Sequence, residues 1–259
     1  MIAMVIFKTG IRKKSISLLS LLLVPFLVFT QDVGDTLPVD LQFSGTIKVN
    51  TNGISTVPAF SLGKPAVIGI LSFNKKRFGF DQYIAFSAEG EPWFLESYFN
   101  FKLVDSPKFN FSTSAMWGIG YSHPEVMLDG TLQTIMKAER YAFLIFSSTY
   151  KLSEKISISG ATYHGYGFPE LSIRWANFVS LVGNITRLKM GKSMNASLFP
   201  QLLYINLDYQ NDGFFVAGTF GVGHQKWPLF LSTQLSRSVA GNLLPNPGFK
   251  WNIGLAYNF

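Results

Sequence analysis

The sequence predicts an all-β chain, an antiparallel up-and-down transmembrane β-barrel of about twelve strands, with ten to fourteen admitted. Three observations predict it. Large apolar and small polar side chains alternate with period two over runs of 9–13 residues. Charged residues make up only 14% of the 259-residue chain and aromatics 15%, including 25 Phe. A typical soluble domain carries roughly 25% charge. The last ten residues alternate without a break and end on Phe259. The apolar content excludes disorder. The absence of Cys excludes a disulfide framework, a cysteine-ligated zinc and a thiol nucleophile.

Taken in chain order, residues 1–30 read as a secretory signal. Lys8, Arg12, Lys13 and Lys14 form a cationic start, an apolar run follows from Ser15 to Thr30, and charge returns at Asp32. An uncleaved anchor is the rival, but Pro25 and the lack of basic residues after the run favour cleavage near Thr30–Gln31. Removing 1–30 removes four basic residues and no acidic one, so a net charge of +7 falls to +3. A nucleic-acid partner, which wants a clustered basic patch, is therefore not expected. Residues 31–53 are expected to be an N-terminal periplasmic segment or an added strand, because Leu41, Phe43, Gly45, Ile47 and Val49 alternate. The barrel is assigned to 54–259.

Strands are expected near 54–62, 66–73, 78–88, 93–104, 109–121, 141–150, 155–164, 171–182, 199–209, 214–224, 229–238 and 250–259. Turn-forming clusters punctuate them, such as Glu89-Gly90-Glu91-Pro92, Asp105-Ser106-Pro107-Lys108 and Asn211-Asp212-Gly213. Such strands exceed the roughly 5–6 residues usual in soluble sheets and match the roughly 9–11 that cross a bilayer. Backbone groups in lipid must all be paired, so the sheet has to close. In 109–121 the face Phe109, Phe111, Ala115, Trp117, Ile119 is expected outward, against Asn110, Ser112, Ser114, Met116 and Gly118 inward. By the same rule Leu203, Ile205 and Leu207 are expected outward, and Tyr204, Asn206 and Asp208 inward. With both ends periplasmic, 122–140 is the longest external loop. Its Leu132, Ile135 and Met136 suggest a short helix within 131–139, and it either constricts the mouth or is plainly exposed. The periplasmic turn at 183–198 is too long for its kind.

The terminal run carries the most specific signal. Trp251, Ile253, Leu255, Tyr257 and Phe259 alternate with Asn252, Gly254, Ala256 and Asn258. This resembles the C-terminal strand of bacterial outer-membrane β-barrel proteins, porin-like and without a narrower family. The resemblance implies an outer-membrane location, a lipid surround and recognition of those five side chains by the barrel-assembly machinery.

No catalytic constellation emerges. His123, His164 and His224 lie in separate segments, and none has a Ser at the spacing that barrel phospholipases and deacylases use. No metal cluster, cofactor motif or paired acidic residues of the protease barrels are expected. Asp81, Glu96, Lys102, Arg174 and Asp208 are the candidate lumen-lining charges; their mixed signs give no strong ring of one charge. The functional expectation is a narrow porin-like channel for small polar solutes. The alternative is a closed barrel with a structural or partner-binding role, and a lipid-modifying enzyme stands third. Oligomeric state is left open.

Overall fold

The computed structural model describes residues 41–54, 61–169, 173–243 and 248–259. The secretory signal expected over 1–30 lies outside them. Fourteen strands form: β1 (Leu41–Asn50), β2 (Ala66–Lys75), β3 (Phe78–Ser87), β4 (Pro92–Asp105), β5 (Phe109–Ser122), β6 (Glu125–Leu128), β7 (Thr131–Thr134), β8 (Lys137–Lys151), β9 (Ile156–Gly167), β10 (Trp175–Met190), β11 (Met194–Leu207), β12 (Asn211–His224), β13 (Leu229–Gly241) and β14 (Phe249–Asn258). Twelve close into one barrel in the order β1-β14-β13-β12-β11-β10-β9-β8-β5-β4-β3-β2, while β6 and β7 pair only with each other. Every strand pairs antiparallel with the one before or after it, as period-two alternation and short turns dictate.

The seam joins the two ends of the chain. Asn50 stands opposite Gly254 and Thr46 opposite Asn258 in the β1–β14 register. Gly45 and Phe259 exchange backbone hydrogen bonds of 2.7 and 2.9 Å. Pairing therefore runs to Phe259, and the rim where β1 starts and β14 ends is the near rim. The connections at 76–77, 106–108, 152–155, 191–193 and 225–228 lie there. The longer ones lie at the far rim.

The alternation sorts the side chains. Trp251, Ile253, Leu255 and Tyr257 are each more than two-fifths exposed on the outer wall. Their neighbours Asn252, Gly254 and Ala256 are buried inside. An outer belt of exposed Phe99, Trp117, Leu144, Val179, Leu202, Val216, Leu231 and Leu235 continues round the wall. Such a belt on a closed sheet is what a bilayer requires of a spanning wall.

Four expectations need correction. The barrel strand placed at 54–62 is instead 41–50; of 54–62 only Ile54, Ser61 and Leu62 are described, and Ile54 and Ser61 form a single bridge with each other. The 183–198 turn shrinks to 191–193, because β10 and β11 extend past the membrane-length core through a bulge between Ile185 and Leu188. The expected short helix in 131–139 is a β-hairpin, with Met127 opposite Leu132 across a turn at Asp129-Gly130. That pair takes φ of 50° and 75°, the left-handed values an Asp-Gly turn allows. Finally, β11 faces the other way: Leu203 and Ile205 point inward and are 2% and 0% exposed, while Leu202 and Tyr204 point outward.

Candidate functional site: the barrel interior

The interior is built from rows of inward side chains that run across the strands. One row passes Ile70, Tyr83, Glu96, Gly118 and Tyr141 on β2, β3, β4, β5 and β8. The next passes Ser72, Asp81, Tyr98, Met116, Phe143 and Gly165. A third passes Asn100, Ser114, Ile145, Tyr163, Phe178 and Ile205. Both β3 carboxylate and β4 carboxylate thus come from odd–even parity alone, which fixes Asp81 and Glu96 on one face of the sheet.

Each carboxylate has polar partners of its own wall. Tyr141 donates its hydroxyl to Glu96 Oε1 and Tyr98 donates to Oε2, both at 2.8 Å. Asn100 Nδ2 donates to Asp81 Oδ2 at 2.6 Å, and Ser114 Oγ donates to Asn100 Oδ1 at 2.6 Å. Neither Asp81 nor Glu96 forms an ion pair among the described residues.

Two glycines make this packing possible. A Cβ at Gly118 would lie 2.6 Å from the Tyr141 ring and 3.1 Å from Glu96 Cγ. A Cβ at Gly165 would lie 2.3 Å from the Phe143 ring. The two rings therefore lie across the neighbouring strand where a side chain would otherwise stand.

The remaining candidates are not in this group. Lys102 is inward in register, opposite Ser112, but sits towards the near rim, where it pairs with Asp105 at 3.4 Å. Arg174 and Asp208, expected in the lumen, are at the far rim outside the strands. Asp208 Oδ1 accepts the backbone N–H groups of Arg174 and Trp175 at 2.8 and 2.7 Å, so it caps the start of β10. Its φ of 52° marks it as a turn residue. Inward charges missed by the sequence reading are Lys48, opposite Ala256, Lys250, opposite Ser236, and Glu139, opposite Gly120 and paired with Lys137 at 2.7 Å. Lys48 lay in a segment not assigned to the barrel.

A second interior feature is apolar. Phe178, Leu203, Ile205 and Phe215 form a buried cluster, with Phe143, Tyr163, Ala176, Leu207 and Leu243 packed against it. It fills part of the far half of the lumen along β8 to β12. Polar inward residues line other stretches: Ser112 bonds Ser147 at 2.8 Å, Thr149 bonds Ser159 at 2.9 Å, and Asn252 donates to Asn50 Oδ1 at 3.1 Å across the seam.

The histidines stand apart. His164 faces outward, with Nδ1 and Asn177 Oδ1 3.0 Å apart. His224 ends β12 at the near rim, where its Nδ1 accepts the Lys226 N–H at 3.1 Å. His123 follows β5 at the far rim. None hydrogen-bonds a Ser among the described residues. No group of three or more acidic or His side chains that could hold a metal occurs among those residues either. At the far mouth Lys64 bonds Glu91 and pairs with Glu89 at 3.7 Å. The Lys64 hydrogen bond holds the Glu91 carboxyl below the usual range, and a Ser87 hydrogen bond does so for Glu89.

Comparison with known proteins gives the fold a context. No protein-family model matches the chain, and no curated protein does. Among solved structures, KdgM porin in complex with disordered oligogalacturonate superposes with a TM-score of 0.56 at 8% identity, over 83% of this chain and 99% of that one. KdgM porin without the oligosaccharide gives 0.54 at 7% identity, over the same shares. The COG4313 outer membrane channel from Pseudomonas putida F1 gives 0.49 at 12% identity, over 88% and 98%. The chain has the fold of bacterial outer-membrane barrels.

Proposed function

We propose that the protein is an outer-membrane barrel whose interior acts as a narrow passive channel for small polar solutes, without a catalytic step. One observation carries this reading. The closed wall turns an apolar belt outward and a face of Ser, Thr, Asn and Gly inward, which is the division a water path through lipid needs. Twelve strands stand between the roughly eight that side chains fill and the 16–18 that leave a wide aqueous channel. A fold shared with a porin is consistent with it. A second reading is favoured by the apolar cluster around Ile205. If it meets the opposite wall, the barrel is closed and serves a structural or partner-binding role.

Single-channel recording in a planar bilayer separates the two, using the purified folded protein and a variant lacking the hairpin 125–134. Steady ohmic steps of similar size in both are the expected result. Silence in both, with the barrel shown intact by heat-modifiable gel mobility, would remove the channel and leave the closed barrel.

A further inference from the structure

A row of aromatic side chains lines one side of the barrel interior. Four ring contacts line up inside the wall. Tyr83 and Tyr98 lie 5.1 Å apart. Tyr141 meets Phe143 edge-on at 6.1 Å, Phe143 meets Phe178 at 5.4 Å, and Phe178 meets Tyr163 at 6.1 Å. The series runs from Tyr83 on β3 to Tyr163 on β9 and Phe178 on β10. Glu96 stands opposite Tyr83 in register and Asp81 opposite Tyr98. The six rings, on β3, β4, β8, β9 and β10, thus form a partial collar along one side of the lumen, and two carboxylates are set into it.

The collar carries no cationic side chain. Lys102 and Lys137 are inward, but they are paired with Asp105 and Glu139. Lys48 on β1 and Lys250 on β14 are inward as well, two and three strands from β3, and neither forms an ion pair with Asp81 or Glu96 among the described residues. A half-buried carboxylate with no counter-charge attracts cations and repels anions more strongly than it would in water. Aromatic faces add attraction for a weakly hydrated organic cation within about 6 Å. Tyr98 and Tyr141 hold Glu96 so that both oxygens keep their place at the ring edge.

We propose that this collar makes the channel selective for cations and gives it a binding step for solutes that carry an ammonium or guanidinium group. The proposal rests on the channel reading and names the solute class for it. Glu96 and Asp81 supply the charge, while Phe143, Tyr163 and Phe178 supply the faces.

Three measurements on the folded protein test it. Reversal potential in a potassium chloride gradient gives the cation-to-anion preference, expected to favour potassium by about fivefold. The Glu96→Gln, Asp81→Asn double variant should bring that ratio close to one. Arginine ethyl ester, added at one side, should block the current, and Phe143→Leu should weaken the block by about fivefold with the potassium preference kept. A preference for chloride, a ratio unmoved in the double variant, or block by glucose as strong as by the ester would each overturn the proposal. Calorimetric titration of the ester into the detergent-folded protein separates this failure from that of the channel. A silent barrel that binds the ester, and loses binding in Glu96→Gln, keeps the collar and removes only conduction. A silent barrel that binds nothing overturns both.

Discussion

At the scale of single residues, the interior depends on what is missing from β5 and β9. Gly118 leaves space for Tyr141 to lie across β5 and reach Glu96. Gly118→Val would put a branched side chain where the ring is, 2.6 Å from the Cβ position. Overpacking of this kind costs about 1–3 kcal/mol, so the heat-modifiable transition should fall in temperature. The milder Tyr141→Phe keeps the ring and removes one hydroxyl donor from Glu96. It should leave the transition nearly unchanged. Equal destabilisation by both would mean that the ring's place does not depend on the gap at Gly118. Residue-level features were legible in the sequence wherever parity was unambiguous. Asp81 and Glu96 hold the opposite parity to Phe80 and Ile84 and to Leu95 and Phe99, so their inward direction followed from counting. The tyrosines that hold Glu96 share that parity, but their convergence depends on register between β4, β5 and β8, which no local pattern carries. Asp208 was misplaced because the expected strand ran to 209, two residues past Leu207, where a left-handed turn begins at Asp208 and Tyr209.

At the scale of elements, β11 shows where alternation loses its meaning. Leu202, Leu203, Tyr204 and Ile205 are all apolar, so either parity satisfies a lipid-facing wall. The choice is made by the neighbours: Phe178 and Phe215 stand opposite Ile205 and Leu203 in register and supply an apolar interior for them. The β6–β7 hairpin is a second case. Leu132, Ile135 and Met136 fit a helical face, but Asp129-Gly130 turns the chain back after four residues, and cross-strand pairing wins. Among the described residues this hairpin pairs with no barrel strand. Removing 125–134 should therefore leave both barrel stability and conductance unchanged; a large rise in conductance would mean that the hairpin enters the lumen. The far-mouth loops carry a pH prediction. Glu89 and Glu91 are held below the usual carboxylate range, so their bonds to the 61–65 loop are intact above that range and lost as pH falls through it. These groups are fully exposed, and the effect on overall stability is small. Amide exchange at Gly63 and Lys64 should speed up on acidification while exchange in β3 and β4 stays slow.

At the scale of the molecule, the class of fold was legible almost entirely, because the bilayer enforces it. Low charge, aromatic strand ends and unbroken alternation each follow from surrounding the wall with lipid. The count of twelve was right while one member was wrong. Residues 41–50 alternate as well as any other segment, yet only the partner decides whether an alternating run is wall or tail, and that partner is β14. Phe259 has a double position here: its backbone pairs with Gly45, and its ring lies over that glycine. Phe259→Ala is expected to reduce the amount of folded barrel reaching the outer membrane while the chain that does arrive keeps its thermal transition. A lowered transition at unchanged yield would mean that the terminal ring serves packing alone and not recognition by the assembly machinery.

The seam also sets a timetable. Thr46 and Asn258 share a hydrogen bond across 212 positions of sequence, so the cylinder cannot shut until β1 and β14 are both in place. Before that moment β1 and β14 are both open edges, ready to pair with any strand nearby. Closure of the wall therefore waits on the meeting of two strands that lie far apart in the sequence. A circularly rearranged gene that fuses the old ends through a short linker and starts at the 88–91 turn would move this event to another pair of strands, leaving the wall itself the same.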